Sequence, residues 1–175
     1  MNDHKGFFAM MARMKYIERW ALMRNSVSEN ICEHSLEVAM LAHGLGIIGR
    51  KRFGKDLSPE RLAMLGMYHD CTEIITGDMP TPVKYANDEL KEAYKAIEDS
   101  AAHRLLEMLP EDLRAEYESY FLPEQITPEE YRYVKAADKL SALIKCIEEE
   151  KTGNQEFRSA KQATYESLQQ MNMPE

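Results

Sequence analysis

The chain has 175 residues, 44% of them hydrophobic and 30% charged, which suits one soluble domain with a buried core. A formal net charge of −8, from 22 basic and 30 acidic residues, argues against a broad nucleic-acid surface. A small anionic ligand stays possible beside local cations or a metal.

No apolar run reaches the roughly 20 residues of a membrane span, and the first residues lack a signal-peptide pattern. Cys32, Cys71 and Cys146 are odd in number with no CxxC, which points to free thiols in a reducing cytoplasm. Low glycine and proline (8 and 7) favour helices.

Phe7, Met10, Met11, Met14 and Ile17 recur at spacings of three and four, which predicts an amphipathic helix over residues 3–18. Arg19-Trp20 and the polar stretch MRNSVSEN follow as a loop. Asn30, with Glu33 three residues on, forms a capping box for a second helix reaching about Gly49. After the basic linker RKRFGKDL, Ser58-Pro59 supplies an N-cap and a first-position proline. The third helix, through LAMLGMYHDCTEII, is apolar on most sides and so central, and Gly77 stops it. TGDMPTPVKY reads as an extended loop. Helices are predicted over 88–108 and 111–121, each ending before a proline. Thr127-Pro128 with Glu130 caps another helix that runs to about Lys151, and Asn154 caps a last one to about Met171. Nothing alternates with period two. The expectation is one all-α domain over residues 1–175.

The chemistry concentrates in MYHDCTEIITGDMPTP, residues 67–82. His69-Asp70 offers a metal an imidazole nitrogen and a hard carboxylate oxygen. On a continuous helix each residue advances about 100°, so Glu73 returns to within about 40° of His69. There it can reach a metal-bound water. The pair alone is a weak signal. His34 in the first turn of the second helix adds a candidate, and so does Asp138, flanked by Ala136, Ala137, Leu140 and Leu143. A carboxylate buried there needs a partner. Taken singly, each also suits an ordinary role, as a packed histidine or a salt-bridged aspartate.

The order His34, His69-Asp70, Asp138 is the ligand order of the HD-domain metal-dependent phosphohydrolases, and this sequence resembles them. The blocks WALMRNSVSENICEHSLEVAMLAH, MYHDCTEIITGDMPTPVKY and VKAADKLSALIKCIEE are similar to the bacterial HD-domain 5′-deoxynucleotidases. The likeness runs from near the N-terminus to about residue 160, in a chain that ends earlier than is usual for that family. It implies an HD bundle of about six to seven helices and a cytoplasmic homodimer. The methionine-bearing first helix suits either that dimer contact or the core.

The resemblance implies one divalent ion on His34, His69, Asp70 and Asp138, with Co²⁺ or Mn²⁺ as activator. The mixed nitrogen and oxygen set also suits Zn²⁺, Fe²⁺ or Ni²⁺. His43 lies nine residues beyond His34, about 180° round the helix. His4 and His103 are the other histidines, so a second metal is not expected. Glu73 orients or deprotonates the attacking water. The implied substrate contacts are Arg19, Trp20, His34, Asp78, Met79, Pro80, Thr81 and Asp138. Trp20 offers a wall to sugar or base, Arg19 a donor to oxygen, and Asp78 an acceptor for a 3′-hydroxyl. Trp20 equally suits a core anchor, Arg19 a surface cation and Asp78 a turn residue. Lys84 suits either phosphate or solvent.

The expected reaction is hydrolysis of 2′-deoxyribonucleoside 5′-monophosphates, by in-line attack of a metal-bound water, with no nucleic-acid polymer or membrane as partner. Two alternatives stay open. One is an HD phosphohydrolase for a triphosphate, cyclic dinucleotide or alarmone, although HDCTEI lacks the second acid of HDxxED. The other is a non-catalytic helical module.

Overall fold

The computed structural model describes residues 6–84 and 86–175; His4 and the start of the helix expected from residue 3 lie outside the described residues. The chain opens on a short α1 (Phe7–Met11) that tightens into a 3-10 turn over Ala12–Tyr16 instead of continuing as one helix to residue 18. Phe7 and Met14 are buried, and Met10 and Met11 pack against the same cluster. The methionine stripe therefore serves the core.

The Asn30 side chain accepts from the Cys32 and Glu33 amides, both at 3.1 Å, and opens α2 (Ile31–Phe53). This helix passes the expected end at Gly49. Arg50, Lys51 and Arg52 suit the negative end of the helix dipole, and Gly54, at φ 65°, closes it. Ser58 caps α3 (Pro59–Tyr68) as its spacing predicts.

The next stretch corrects the sequence reading. The third helix does not run through to Ile75. It stops at Tyr68, crosses His69–Thr72 in tight turns, and resumes as α4 (Glu73–Thr76) up to Gly77. The expected extended loop then contains a further turn of helix, α5 (Thr81–Lys84), whose Val83 and Lys84 amides bond to the Pro80 carbonyl. Pro82 is tolerated because a first-turn amide has no intrahelical partner.

α6 (Asp88–Leu106), α7 (Glu111–Phe121) and α8 (Pro128–Lys151) stand where predicted, the last opened by the Thr127–Glu130 capping box. Asn154 caps a 3-10 turn that leads into α9 (Arg158–Gln170). Among the described residues six helices reach ten residues or more and no strand forms, only an isolated bridge between Glu18 and Asn30.

α2 is the central element, lying between α3 and α8. By length and composition it is apolar enough to cross a membrane, as the core helix of a folded domain also can be. Ile31 belongs to a cluster with Phe7, Cys71, Ile74, Leu105 and Phe121. Val38 and Ala42 belong to a second, with Leu62, Leu65, Tyr133 and Ala137. Burying an aliphatic chain of this kind stabilises the fold by about 1.5–3 kcal/mol. His34 lies on the same face of α2, one turn from Ile31 and one from Val38, so it is set between the two clusters.

The α2–α3 crossing depends on Gly66. A methyl there would stand 3.0 Å from the Ala39 Cα and 3.2 Å from the Val38 carbonyl carbon, backbone atoms that cannot turn aside. Gly66→Ala is expected to lower stability by about 1–2 kcal/mol in urea denaturation, despite the better helix propensity of alanine. An unchanged midpoint would show that the crossing has slack.

Candidate metal centre and substrate pocket

Four side chains from three elements converge. α2 contributes His34, the turn after α3 contributes His69 and Asp70, and the middle of α8 contributes Asp138. His34 Nε2 stands 3.4 Å from Asp70 Oδ2 and 3.3 Å from Asp138 Oδ1. His69 Nε2 stands 3.1 Å and 4.0 Å from the same two oxygens. One ligand atom from each of His34, His69 and Asp70 lies within 4.8 Å of the others.

Hydrogen bonding on the far side of each ring fixes which nitrogen faces inward. His69 Nδ1 is 2.7 Å from the Gly66 carbonyl, which can only accept, so Nδ1 carries the proton. His34 Nδ1 is 3.0 Å from Ser141 Oγ, and that hydroxyl donates its own proton to Glu37. Ser141 must therefore accept from His34. Both Nε2 lone pairs then point into the site, and both atoms are buried without a hydrogen-bond partner among the described residues. A divalent cation fits this donor set of two imidazoles and two carboxylates.

The charges agree. Burial alone would raise the Asp70 carboxyl, but His69 and His34 hold it well below its usual range. Burial opposes ionisation of Asp138 too, yet Lys135, at 3.1 Å, and His34 keep it far down. Burial disfavours charge on His34, whereas Asp138 and Asp70 raise its affinity for a proton above the ordinary value. A field that draws a proton here also draws a cation.

Glu73 reaches the site through the tight turn, where its amide bonds to the Asp70 carbonyl at 3.0 Å, and not along one helical face as the sequence suggested. It is 7% exposed, and its Oε2 has no hydrogen-bond partner among the described residues. Burial, then Asp70 and Asp78, push its carboxyl up to about 9, against the pull of Arg19 and Lys84.

Beside this centre Arg19 Nη1 donates to Asp70 at 3.3 Å. The Trp20 amide donates to Asp78 Oδ2 at 3.3 Å, joining the first loop to the turn before α5. Burial raises the Asp78 carboxyl and Arg19 lowers it, with a net upward shift. The Trp20 ring is half-buried and tilted against the buried Phe157 at 5.2 Å. Met79 and Pro80 are half-buried and Thr81 is exposed as the chain enters α5. Lys84 pairs with Glu98 at 2.8 Å and lies over the Tyr94 ring. His43 stands near Glu60, and exposed His103 bonds to the Asp99 carbonyl, so neither joins the cluster.

Three functional neighbours escaped the sequence reading. Glu37 and Ser141 each lie one helical turn beyond a candidate ligand, His34 and Asp138, and that spacing was the available signal. Glu29, which holds Arg19 and Trp20, had no signal beyond its place just before the Asn30 cap.

Residues 6–175 match the family model of the YfbR-like 5′-deoxynucleotidases. The chain is 50% identical over 169 residues to the 5′-deoxynucleotidase of Vibrio atlanticus, covering 97% of this chain and 87% of that one. It is 47% identical over 170 residues to the 5′-deoxynucleotidase YfbR of Shigella boydii, covering 95% and 85%. Among solved structures, an HD-domain phosphohydrolase from Listeria innocua shares the fold, with a TM-score of 0.79 at 24% identity over 94% of this chain and 81% of that one. The cyanophage S-2L HD phosphohydrolase DatZ, bound to dA and one catalytic Zn²⁺, gives a TM-score of 0.56 at 27% identity over 79% and 69%. Helical bundle, converging metal-type ligands and whole-chain likeness agree: the chain belongs to the YfbR-like 5′-deoxynucleotidase family of HD-domain hydrolases.

Proposed function

We propose that this protein hydrolyses 2′-deoxyribonucleoside 5′-monophosphates to deoxynucleoside and phosphate, as one domain over residues 1–175. The observation that carries the reading is the meeting of two inward Nε2 lone pairs with the Asp70 and Asp138 carboxylates beside Glu73. A divalent ion held by His34, His69, Asp70 and Asp138 would supply Lewis acidity to the phosphoryl group and lower the pKa of attacking water. Co²⁺ or Mn²⁺ is proposed, with Zn²⁺, Fe²⁺ or Ni²⁺ compatible with the same donors.

Glu73 Oε2 orients the attacking water and takes its proton. Without a metal, burial and the neighbouring carboxylates hold this carboxyl up to about 9; a divalent ion bound beside it would favour the ionised form that accepts the proton. Arg19, already donating to Asp70, extends its guanidinium to a phosphate oxygen. The Trp20 ring walls the sugar and base. Asp78 has one oxygen engaged by the Trp20 amide and accepts the 3′-hydroxyl with the other. Met79, Pro80 and Thr81 edge the pocket, and His34 and Asp138 border the phosphate. Lys84 contributes background positive charge from its pair with Glu98.

A small nucleotide, and neither a nucleic-acid polymer nor a membrane, fits the acidic chain. Three free cysteines suit a cytoplasmic setting. A homodimer would cover Leu36, Met40 and Ile47, exposed along α2.

Phosphate release from dAMP and AMP, on metal-stripped protein with single ions restored, tests this directly. The expected result is strong preference for dAMP with a transition metal. Equal rates would contradict the pocket, and pyrophosphate release from dATP would favour a triphosphate substrate.

Glu73→Gln should lower kcat by about 10²–10⁴-fold while metal content survives; metal loss would make Glu73 a ligand instead. The same variant has a pH signature. A carboxyl raised by folding favours the fold at acid pH. It loses that contribution as pH climbs from 4.5 towards about 9, because the unfolded chain ionises first. Metal-stripped Glu73→Gln should therefore exceed wild type in stability by on the order of 2 kcal/mol at about pH 8, a gap that closes by about pH 5.

A further inference from the structure

Arg19 and Trp20 lie between the 3-10 turn and α2, in a stretch whose one ladder contact is the Glu18–Asn30 bridge. Both side chains are nonetheless held by one carboxylate. Glu29 Oε2 accepts from Arg19 Nε at 3.2 Å and from Trp20 Nε1 at 2.6 Å, and the Glu29 carbonyl accepts from the Arg19 amide at 2.8 Å. The Glu29 side chain is 13% exposed, so these bonds are shielded from water. Trp20 also sits at φ 62°, a left-handed conformation that a bulky residue keeps only where its surroundings impose it. At its far end the Arg19 guanidinium reaches Asp70.

The other half of the loop is tied down separately. The Ser26 and Val27 amides donate to Glu149, itself buried and paired with Lys145. Removing Glu29 would therefore leave the loop attached and release the two pocket side chains.

We infer that Glu29 is the positioning residue of the substrate pocket. It sets where the Arg19 fork and the Trp20 ring stand, and through them governs nucleotide affinity and the preference for deoxyribose. This rests on the reading that Arg19 and Trp20 contact the substrate. With its Nε held by Glu29, the guanidinium presents its terminal nitrogens to Asp70 and to phosphate. With its Nε1 held, the indole cannot turn about its side-chain bonds. A carboxylate at this distance satisfies both donors at once, which a displaced one cannot do.

Trp20 is the only tryptophan, so its fluorescence reports on its own position without substrate. Glu29→Ala should raise KM for dAMP about tenfold, the loss of roughly one charge-assisted hydrogen bond, with kcat within about threefold. It should also narrow the dAMP-over-AMP ratio and increase acrylamide quenching of Trp20. Glu29→Gln, which keeps an acceptor in place, should recover most of the affinity. Glu29→Asp keeps the charge but withdraws it from both donors, so it should behave like Glu29→Ala, and it gives the same readings if the alanine variant does not fold. Unchanged quenching and KM in both Glu29→Ala and Glu29→Asp would overturn the inference. If quenching rises but KM does not, Arg19→Ala separates the causes. A raised KM in Arg19→Ala overturns the role of Glu29 alone, and an unchanged one overturns the pocket reading together with it.

Discussion

Two imidazole nitrogens, buried and without a hydrogen-bond partner among the described residues, face two ionised carboxylates across about 3–4 Å. An unpaired polar atom in such a place is costly unless something arrives to meet it. The rest of the molecule is arranged to keep it so. Gly66 and Ser141 take the outward protons of the two rings, and Glu37 takes the proton of Ser141. The tautomers are thereby set from behind, and the inward lone pairs have no protein donor to turn to. Lys135 helps to keep Asp138 ionised, and the Arg19 guanidinium stands 3.3 Å from Asp70.

The fold serves this centre by a break. Leu62 and Leu65 belong to the cluster shared by α2, α3 and α8, whereas Cys71 and Ile74 belong to the cluster beside α1, α6 and α7. The chain turns between Tyr68 and Glu73, and the turn carries His69, Asp70 and Glu73 into the seam between the clusters. α2 borders the same seam and delivers His34 to it from between Ile31 and Val38. Two less regular segments meet beside the centre, where the Trp20 amide bonds to Asp78.

Helix starts were legible because they are local chemistry. Asn30 with Glu33, Ser58 with Pro59, and Thr127 with Glu130 each cap a helix through residues within a few positions of one another. The four metal-type ligands were legible as an order along the chain, and the structure brings all four together. The break after Tyr68 was not legible, because LAMLGMYHDCTEII contains no proline and its only glycine packs inside the helix. The residues on the two sides of the break pack into different clusters, through contacts distant in sequence. The Trp20 backbone and the Glu29 clamp were hidden for the same reason, since a positive φ at tryptophan is stable only in its surroundings. Glu37 and Ser141 lay within reach of a spacing argument, one turn beyond His34 and Asp138, but nothing local marks a residue that acts on the back of a ligand.

The most direct measurement is calorimetric titration of metal-stripped protein with Mn²⁺ or Co²⁺, comparing wild type with Ser141→Ala and with His34→Ala. If the inward lone pairs are the basis of the site, wild type takes one ion per chain. Ser141→Ala then binds it on the order of 10–100-fold more weakly, with the fold retained, and His34→Ala loses it. Equal affinity in all three proteins would contradict the account, because the ion would then be held without the imidazole that the whole arrangement serves to orient.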